Sequence, residues 1–319
     1  MSPVVTTTRT PARVGADALA EKGWWGTYRW LVLRRATQLG ILLLFLVGPW
    51  FGVWIVKGNL ASSLTLGVLP LTDPYVLVQS LLAGLTTGYV PLKTAFIGAA
   101  IVLVFYWLVG GRVYCSWVCP VNPVTDFAAW LRRRLGFKSG AVLSRQLRFW
   151  LLAMTLVVAL ATGSIAWELV NPVSMLHRGL IFGLGAGAAV IAAIFLFDLF
   201  VAPRGWCGHL CPVGAFYSQL GRTSPLRIVA ARREACNDCA DCYAVCPEPV
   251  VIKPALKGTD GAGPVIASAQ CTNCARCIDV CSKDVFEFGL RWQQARNAPP
   301  APTANHPPTR LAPEERTSS

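Results

Sequence analysis

Histidine is scarce in this chain, with three in 319 residues: His177, His209 and His306. Helix-borne pairs of haem ligands are therefore excluded, and the lack of any C-x-x-C-H run excludes covalently attached haem. No G-x-G-x-x-G run follows a strand to cradle a nucleotide. Charge is also sparse, at 14% against 54% hydrophobic residues and a mean hydropathy of +0.49, too little for a soluble protein. Met1–Trp25 has no apolar core followed by a small-residue cleavage site, so no signal peptide is expected. What remains is a membrane protein whose twelve cysteines fall in short clusters that suit metals better than disulfides.

Four uncharged stretches approach the roughly 20 residues needed to cross a bilayer: Ala36–Val56, Thr94–Gly111, Phe149–Trp167 and Gly179–Phe197. A fifth, Pro74–Leu92, carries Gln79, two Gly, a Thr pair and Pro91 and reads as an external loop with a short interfacial helix. Lys and Arg are biased to one side of these spans. Six lie in the first 35 residues, seven in 112–148 and five in 204–233, against only Lys57, Lys93 and Arg178 in the opposite loops. That bias predicts a multi-pass protein with both termini cytoplasmic. It also accounts for the net charge of +13 without nucleic acid, because the basic residues flank spans rather than forming one patch. Residues 1–22 read as a loose basic arm and 297–319 as a disordered tail.

The chain repeats itself at an offset of 92 residues. Arg112, Tyr114, Cys115, Cys119, Pro120 and Val121 align with Arg204, Trp206, Cys207, Cys211, Pro212 and Val213. Each copy follows two spans and a loop holding Asp73-Pro74 or Asn171-Pro172. The expected fold is an α-helical membrane protein of four transmembrane helices in two tandem two-span repeats, followed by a small α+β two-cluster ferredoxin domain. The expected divisions are an arm at 1–35, a membrane domain at 36–227, a ferredoxin domain at 228–292 and a tail at 293–319.

That ferredoxin domain rests on Cys236-x2-Cys239-x2-Cys242-x3-Cys246-Pro247 and Cys271-x2-Cys274-x2-Cys277-x3-Cys281. In such runs the fourth cysteine ligates the other cluster. One [4Fe-4S] cluster is therefore assigned to Cys236, Cys239, Cys242 and Cys281, and a second to Cys271, Cys274, Cys277 and Cys246. The remaining four thiols, Cys115, Cys119, Cys207 and Cys211, would lie in pairs one turn apart if helical. They leave two readings open, an additional iron–sulfur site or a structural or partner-docking motif. His209, between Cys207 and Cys211, could ligate a metal, but the aligned position in the first repeat is Trp117. His177, Glu168 and Asp198 lie near span ends and are candidates to accept protons from a quinol, with His177 favoured by its natural pKa.

The blocks Gly23-Trp24-Trp25, Gly48-Pro49-Trp50-Phe51-Gly52, Leu71-Thr72-Asp73-Pro74, Cys115-Ser116-Trp117-Val118-Cys119-Pro120, Trp206-Cys207-Gly208-His209-Leu210-Cys211-Pro212 and Asp279-Val280-Cys281-Ser282 resemble the NapH family. Its members are membrane ferredoxin-type quinol dehydrogenase components of periplasmic nitrate reductase systems. A methylamine-utilisation protein and part of a nitrous-oxide-reduction regulator belong to the same wider family. The resemblance implies residence in the bacterial inner membrane, quinol as substrate, and a periplasmic ferredoxin-type partner of the NapG kind that passes electrons toward nitrate reductase. It implies an electron-transfer component rather than a stand-alone enzyme. The competing expectations are an accessory protein that matures or maintains a partner enzyme, and a redox regulator.

Overall fold

The structure, a computed structural model, describes residues 14–85, 92–137, 140–141, 143–183 and 185–292. α1 (Ala16–Phe51) is 36 residues long and kinks at Gly23, whose φ of 69° breaks the helical path. An antiparallel meander follows, β1 (Val56–Gly58), β2 (Ser62–Thr65) and β3 (Leu69–Thr72), with Ser63 opposite Leu71. α2 (Pro74–Leu82) leads to α3 (Leu92–Val109). A single π turn over Tyr114–Val118 then carries the chain into α4 (Asn122–Arg134).

The second half repeats this order without the meander. α5 (Leu147–Thr162) is followed by the short α6 (Ala166–Val170), α7 (Pro172–Phe182) and α8 (Gly185–Leu196), which runs on as a π turn to Val201. Another π turn, Trp206–Leu210, leads to α9 (Pro212–Leu220). α2 and α7 start by the same device. Asp73 and Asn171 accept hydrogen bonds from the N–H groups of Tyr75 (2.9 Å) and Val173 (3.1 Å), and a proline with no N–H to satisfy follows each cap.

α1 and α3 are long and apolar enough to cross a membrane, and α5 and the α8 segment are apolar but shorter. At ~1.5 Å per residue, α5 reaches about 24 Å. α3 is apolar all round, and only Gly98, Ala99 and Tyr106 of it are buried. Phe96, Ile97, Ile101, Val104, Phe105 and Leu108 stay exposed, as do Trp150, Met154, Val157 and Leu160 on α5. Apolar surface of that extent suits a lipid surrounding better than water, consistent with membrane association.

The last part has its own core. β4 (Leu226–Val229) pairs antiparallel with β5 (Glu287–Leu290), and α10 (Asp241–Val245), α11 (Ile252–Lys257) and α12 (Arg276–Val280) enclose Ile228, Ile252, Leu256, Ile266, Ile278 and Phe286. The start of α1 lies across this core. Trp30 packs edge-on to Phe288 at 5.0 Å, Asp279 accepts hydrogen bonds from the N–H groups of Trp30 and Leu31, and Lys22 pairs with Asp284 at 2.8 Å.

Several sequence expectations need correction. Residues 16–22 are helical rather than part of a loose arm, because the Gly15 N–H is held by Asp241 and Lys22 is held by Asp284. The first apolar run leaves the helix at Gly52, in the left-handed region at φ 73°, and its last residue, Val56, begins β1. The helix in the third run stops at Thr162, capped by Gly163. The fourth run is divided, since Gly179–Phe182 closes α7 and Gly183 (φ 106°) interrupts the chain before α8. Residues 1–13, 86–91 and 293–319, and so most of the arm, the end of the Pro74–Leu92 stretch and the tail, lie outside the described residues.

One packing contact admits no side chain. Gly111 has φ +67°, and a Cβ there would fall 2.5 Å from both the Gly221 N and the Tyr217 O of the α9 end. Gly111→Ala is expected to cost more than about 2 kcal/mol, since neither backbone can yield cheaply. Gly40→Ala, with open space at the Cβ, should be neutral or slightly stabilising in the same thermal unfolding measurement.

Candidate cluster-binding sites

Two loops shape the cysteine runs, and they are conformational copies of each other. Asp238 and Asn273, each two residues after its first cysteine, take left-handed φ values of 56° and 45°, and Ala240 and Ala275 take 63° and 58°. Asp and Asn visit this region readily, but alanine does so only against steric resistance. Alternating left-handed residues curl the backbone so that successive thiols point inward, and α10 or α12 then starts at once and carries the third cysteine.

The fourth cysteine comes from across the pseudo-symmetric pair. One cavity is lined by Cys236, Cys239, Cys242 and Cys281, with Tyr243 and Phe286. Another is lined by Cys271, Cys274, Cys277 and Cys246, with Ile228, Ile252 and Ile266. All twelve cysteines are free thiols. Among the described residues no three His, Cys, Asp or Glu side chains are placed to hold a single metal ion. Thiols that ring a gap suit a polynuclear cluster, in which each cysteine reaches a different iron. The residues present therefore fit [4Fe-4S] groups, with four thiolates for each.

The other four thiols meet as well. Cys115, Cys119, Cys207 and Cys211 line one small cavity with Asp73, Asn171, Tyr114, Trp167 and Trp206. All six thiol pairs are close enough to interact electrostatically. The sequence suggested α-helical spacing here. Instead each pair spans a π turn closed by an i to i+5 hydrogen bond, Cys119 N–H to Tyr114 O (3.0 Å) and Cys211 N–H to Trp206 O (2.9 Å). The N–H groups of Val121 and Asn122 point at the Cys119 sulfur, and those of Val213 and Gly214 at Cys211. The N-termini of α2 and α7 reach the cavity through their caps. Amide donors and positive helix ends thus surround the thiols, an arrangement that favours bound negative charge. Burial nevertheless pushes Cys119, Cys207 and Cys211 up, Cys211 to about 12, so these three stay protonated until a metal displaces the proton.

This thiol cavity abuts the buried ferredoxin cradle. Ser116 Oγ donates to the Thr272 carbonyl at 2.8 Å and Trp117 Nε1 to the Asn273 carbonyl at 3.1 Å, both inside the Cys271–Cys274 loop. On the second repeat Arg112 donates to the Cys207 carbonyl (3.0 Å) and Arg148 to the Gly208 carbonyl (3.0 Å). Both arginines also hold Glu248, two residues past Cys246.

The three residues expected to move protons do not converge. His177, buried on α7, lies edge-on to Phe45 at 6.0 Å, and its burial lowers the pKa. Glu168 accepts from Asn171 Nδ2 at 3.1 Å, and Asp198 accepts from the Trp206 N–H at 3.0 Å, so each touches a cavity residue without lining the cavity. The carboxylate that does line it is Asp73, which accepts from Tyr217 OH at 3.1 Å and is raised by burial to about 6. The sequence offered one signal for it, the matching positions of Asp73-Pro74 and Asn171-Pro172 ahead of each cysteine pair. Nothing marked Glu248 or Asp126 as the anchors they are. His209 keeps Nδ1 without a hydrogen-bond partner and lies outside the thiol cavity.

Comparison with known proteins adds to this geometry. A family described as "4Fe-4S binding domain" matches twice, over residues 93–138 and 184–229. Each match encloses one C-x3-C-P pair and neither reaches the ferredoxin runs. The chain is 50% identical over 280 residues to the ferredoxin-type protein NapH of Escherichia coli K12, covering 87% of this chain and 95% of that one. It is 54% identical over 280 residues to the methylamine utilization ferredoxin-type protein MauN of Methylorubrum extorquens, covering 88% and 96%. It is also 46% identical over 285 residues to NapH of Haemophilus influenzae, covering 89% and 98%. The chain belongs to the NapH/MauN family. Like that family's ferredoxin-type members it is a 4Fe-4S-binding electron-transport protein. No solved structure matches it.

Proposed function

We propose that this NapH/MauN chain is a quinol dehydrogenase subunit that passes electrons from membrane quinol, with a periplasmic ferredoxin-type partner like NapG, toward periplasmic nitrate reductase. In this reading four helices span the inner membrane in two tandem units, both termini are cytoplasmic, and residues 228–292 form the ferredoxin domain. The eight cysteines of that domain hold two [4Fe-4S] clusters, and Cys115, Cys119, Cys207 and Cys211 hold a third iron–sulfur site. The clusters supply one-electron carriers where quinol supplies two electrons.

The observation that carries the proposal is the docking of Ser116 and Trp117 onto the Thr272–Asn273 backbone. It joins the thiol cavity to a ferredoxin cradle through one layer of residues. Asp73 and Asn171, from loops expected on the far side of the membrane, line the same cavity, so protein extends from those loops to the cradle without a break. Asp73, Glu168, His177 and Asp198 are the groups in that region able to hold a proton from quinol.

Two measurements test this reading. Iron and acid-labile sulfide on the purified chain should exceed about eight per molecule, the content of two [4Fe-4S] clusters, and Cys115→Ser with Cys207→Ser should remove the excess. A quinol analogue added to membrane vesicles should reduce the clusters; failure to do so, with nitrate reduction restored by a bypass donor, would favour an accessory, maturation or regulatory role. The 54% identity to MauN supports a second reading, the same chemistry serving a methylamine-utilization system. The identity of the periplasmic partner that co-purifies with the chain separates the two.

A further inference from the structure

A cleft on the ferredoxin side carries more positive charge than its own acids neutralise. Arg34, Arg35, Arg133, Arg134, Arg204 and Arg276 line it, against Asp126 and Asp279. Asp126 is shared, with Arg35 and Arg276 each at 2.5 Å and Arg34 at 3.8 Å. Asp279 is engaged by the backbone of α1. Arg34, 1% exposed, leaves Nε and Nη1 without hydrogen-bond partners, and Arg276, 8% exposed, leaves Nε so. Buried guanidinium donors left open in this way cost free energy unless an acceptor meets them; Cys274 is one group that both arginines face, and an anion in the cleft would be another.

Aromatic side chains of α4 form another part of the wall. Phe127 and Trp130 stack at 5.6 Å and line the cleft, and Phe127 also stacks on Phe195 of α8 at 5.8 Å. Both rings are about half exposed, so this wall continues the lipid-facing surface of α8. Arg134 lies over the Trp130 ring at 5.5 Å, placing a guanidinium against the aromatic wall.

We propose that this cleft binds a phosphate-bearing anion, and that the aromatic wall selects the headgroup of an anionic phospholipid whose acyl chains run along Phe127 and α8. Arginine forks match phosphate oxygens in pairs, and basic pockets beside membrane helices recognise such headgroups. The arginines come from α1, α4, the segment before the Trp206–Leu210 π turn, and α12. One bound headgroup therefore ties the membrane helices to the ferredoxin part beside Cys274 and Cys277. The inference is independent of quinol chemistry.

The test uses the full cluster-loaded chain in nanodiscs of phosphatidylcholine alone, of phosphatidylcholine with phosphatidylglycerol, and of phosphatidylcholine with inorganic pyrophosphate in solution. Phosphatidylglycerol should raise the unfolding temperature and persist as an adduct in native mass spectrometry. Arg133→Gln with Arg134→Gln should weaken its retention about twentyfold with iron content unchanged. Arg134→Gln alone, at an exposed position, should weaken it about fivefold and serves if the double variant does not fold. Trp130→Ala should weaken phosphatidylglycerol but spare pyrophosphate. Stabilisation by pyrophosphate equal to that by the lipid would keep the anion site and assign it to a soluble phosphate compound. Equal stability in all three conditions, or wild-type retention of lipid by the folded arginine variants, would overturn the proposal.

Discussion

Cys246→Ser is expected to remove about four irons per chain, and the irons lost should be those held by the other cysteine run. Cys246 stands at the end of the first run but lines the cavity of Cys271, Cys274 and Cys277. Adding Cys271→Ser to Cys246→Ser should therefore cost no further iron, because both changes strike one site. Adding Cys236→Ser should remove about four more, since Cys236 lines the cavity completed by Cys281. If each run instead held its own cluster, the two double variants would exchange results. The buried site should also take more of the fold with it. Its lining contributes Ile228, Ile252 and Ile266 to the core, whereas the other cavity opens beside the exposed Asp238–Lys257 pair. Circular dichroism melting should consequently fall further for Cys246→Ser than for Cys281→Ser.

How much of this could be read beforehand differs between the two groups of cysteines. Ligand spacing in the ferredoxin runs is local, because three thiols on one tight loop need only a short curl of backbone, and the sequence carries that curl as C-x2-C-x2-C. The C-x3-C-P pairs are not legible in the same way. Whether two thiols at i and i+4 share a face depends on the turn type, and the π turns here follow from long-range packing against Thr272, Asn273 and the loops at Asp73 and Asn171. The meander β1–β3 escaped notice because Leu-Pro-Leu-Thr and Ser-Ser-Leu-Thr are weak strand signals whose pairing is decided by β3 packing against α3. Helix ends drifted for a simpler reason. Hydropathy runs smoothly through Phe51 and Phe182, and it is the left-handed Gly52 and the positive φ of Gly183 that stop the helices.

The second large effect is expected at Glu248, where the membrane part and the ferredoxin part share a buried charge cluster. Its carboxylate meets Arg112 at 3.1 Å, Arg148 at 3.3 Å and Arg145 at 3.0 Å, and Arg112, Arg148 and Glu248 are each no more than 2% exposed. Desolvating such ions costs several kcal/mol apiece, so the cluster's net worth as a whole is modest, but removing one partner is another matter. Glu248→Ala leaves two buried guanidinium groups uncompensated and should destabilise the chain by about 3–5 kcal/mol. Glu248→Gln keeps an acceptor for both arginines and should fall between the variant and the wild type in thermal unfolding. The effect should not stop at stability. Arg112 also holds the Cys207 carbonyl and Arg148 that of Gly208, so without Glu248 the Trp206–Leu210 π turn loses its tie to the segment following Cys246. Glu248→Ala should therefore slow electron exchange between the part carrying the C-x3-C-P cysteines and the ferredoxin cradle while the eight ferredoxin cysteines, none of which it replaces, still bind iron. A variant that melts and exchanges electrons like the wild type would show that the charge cluster does not couple the two parts.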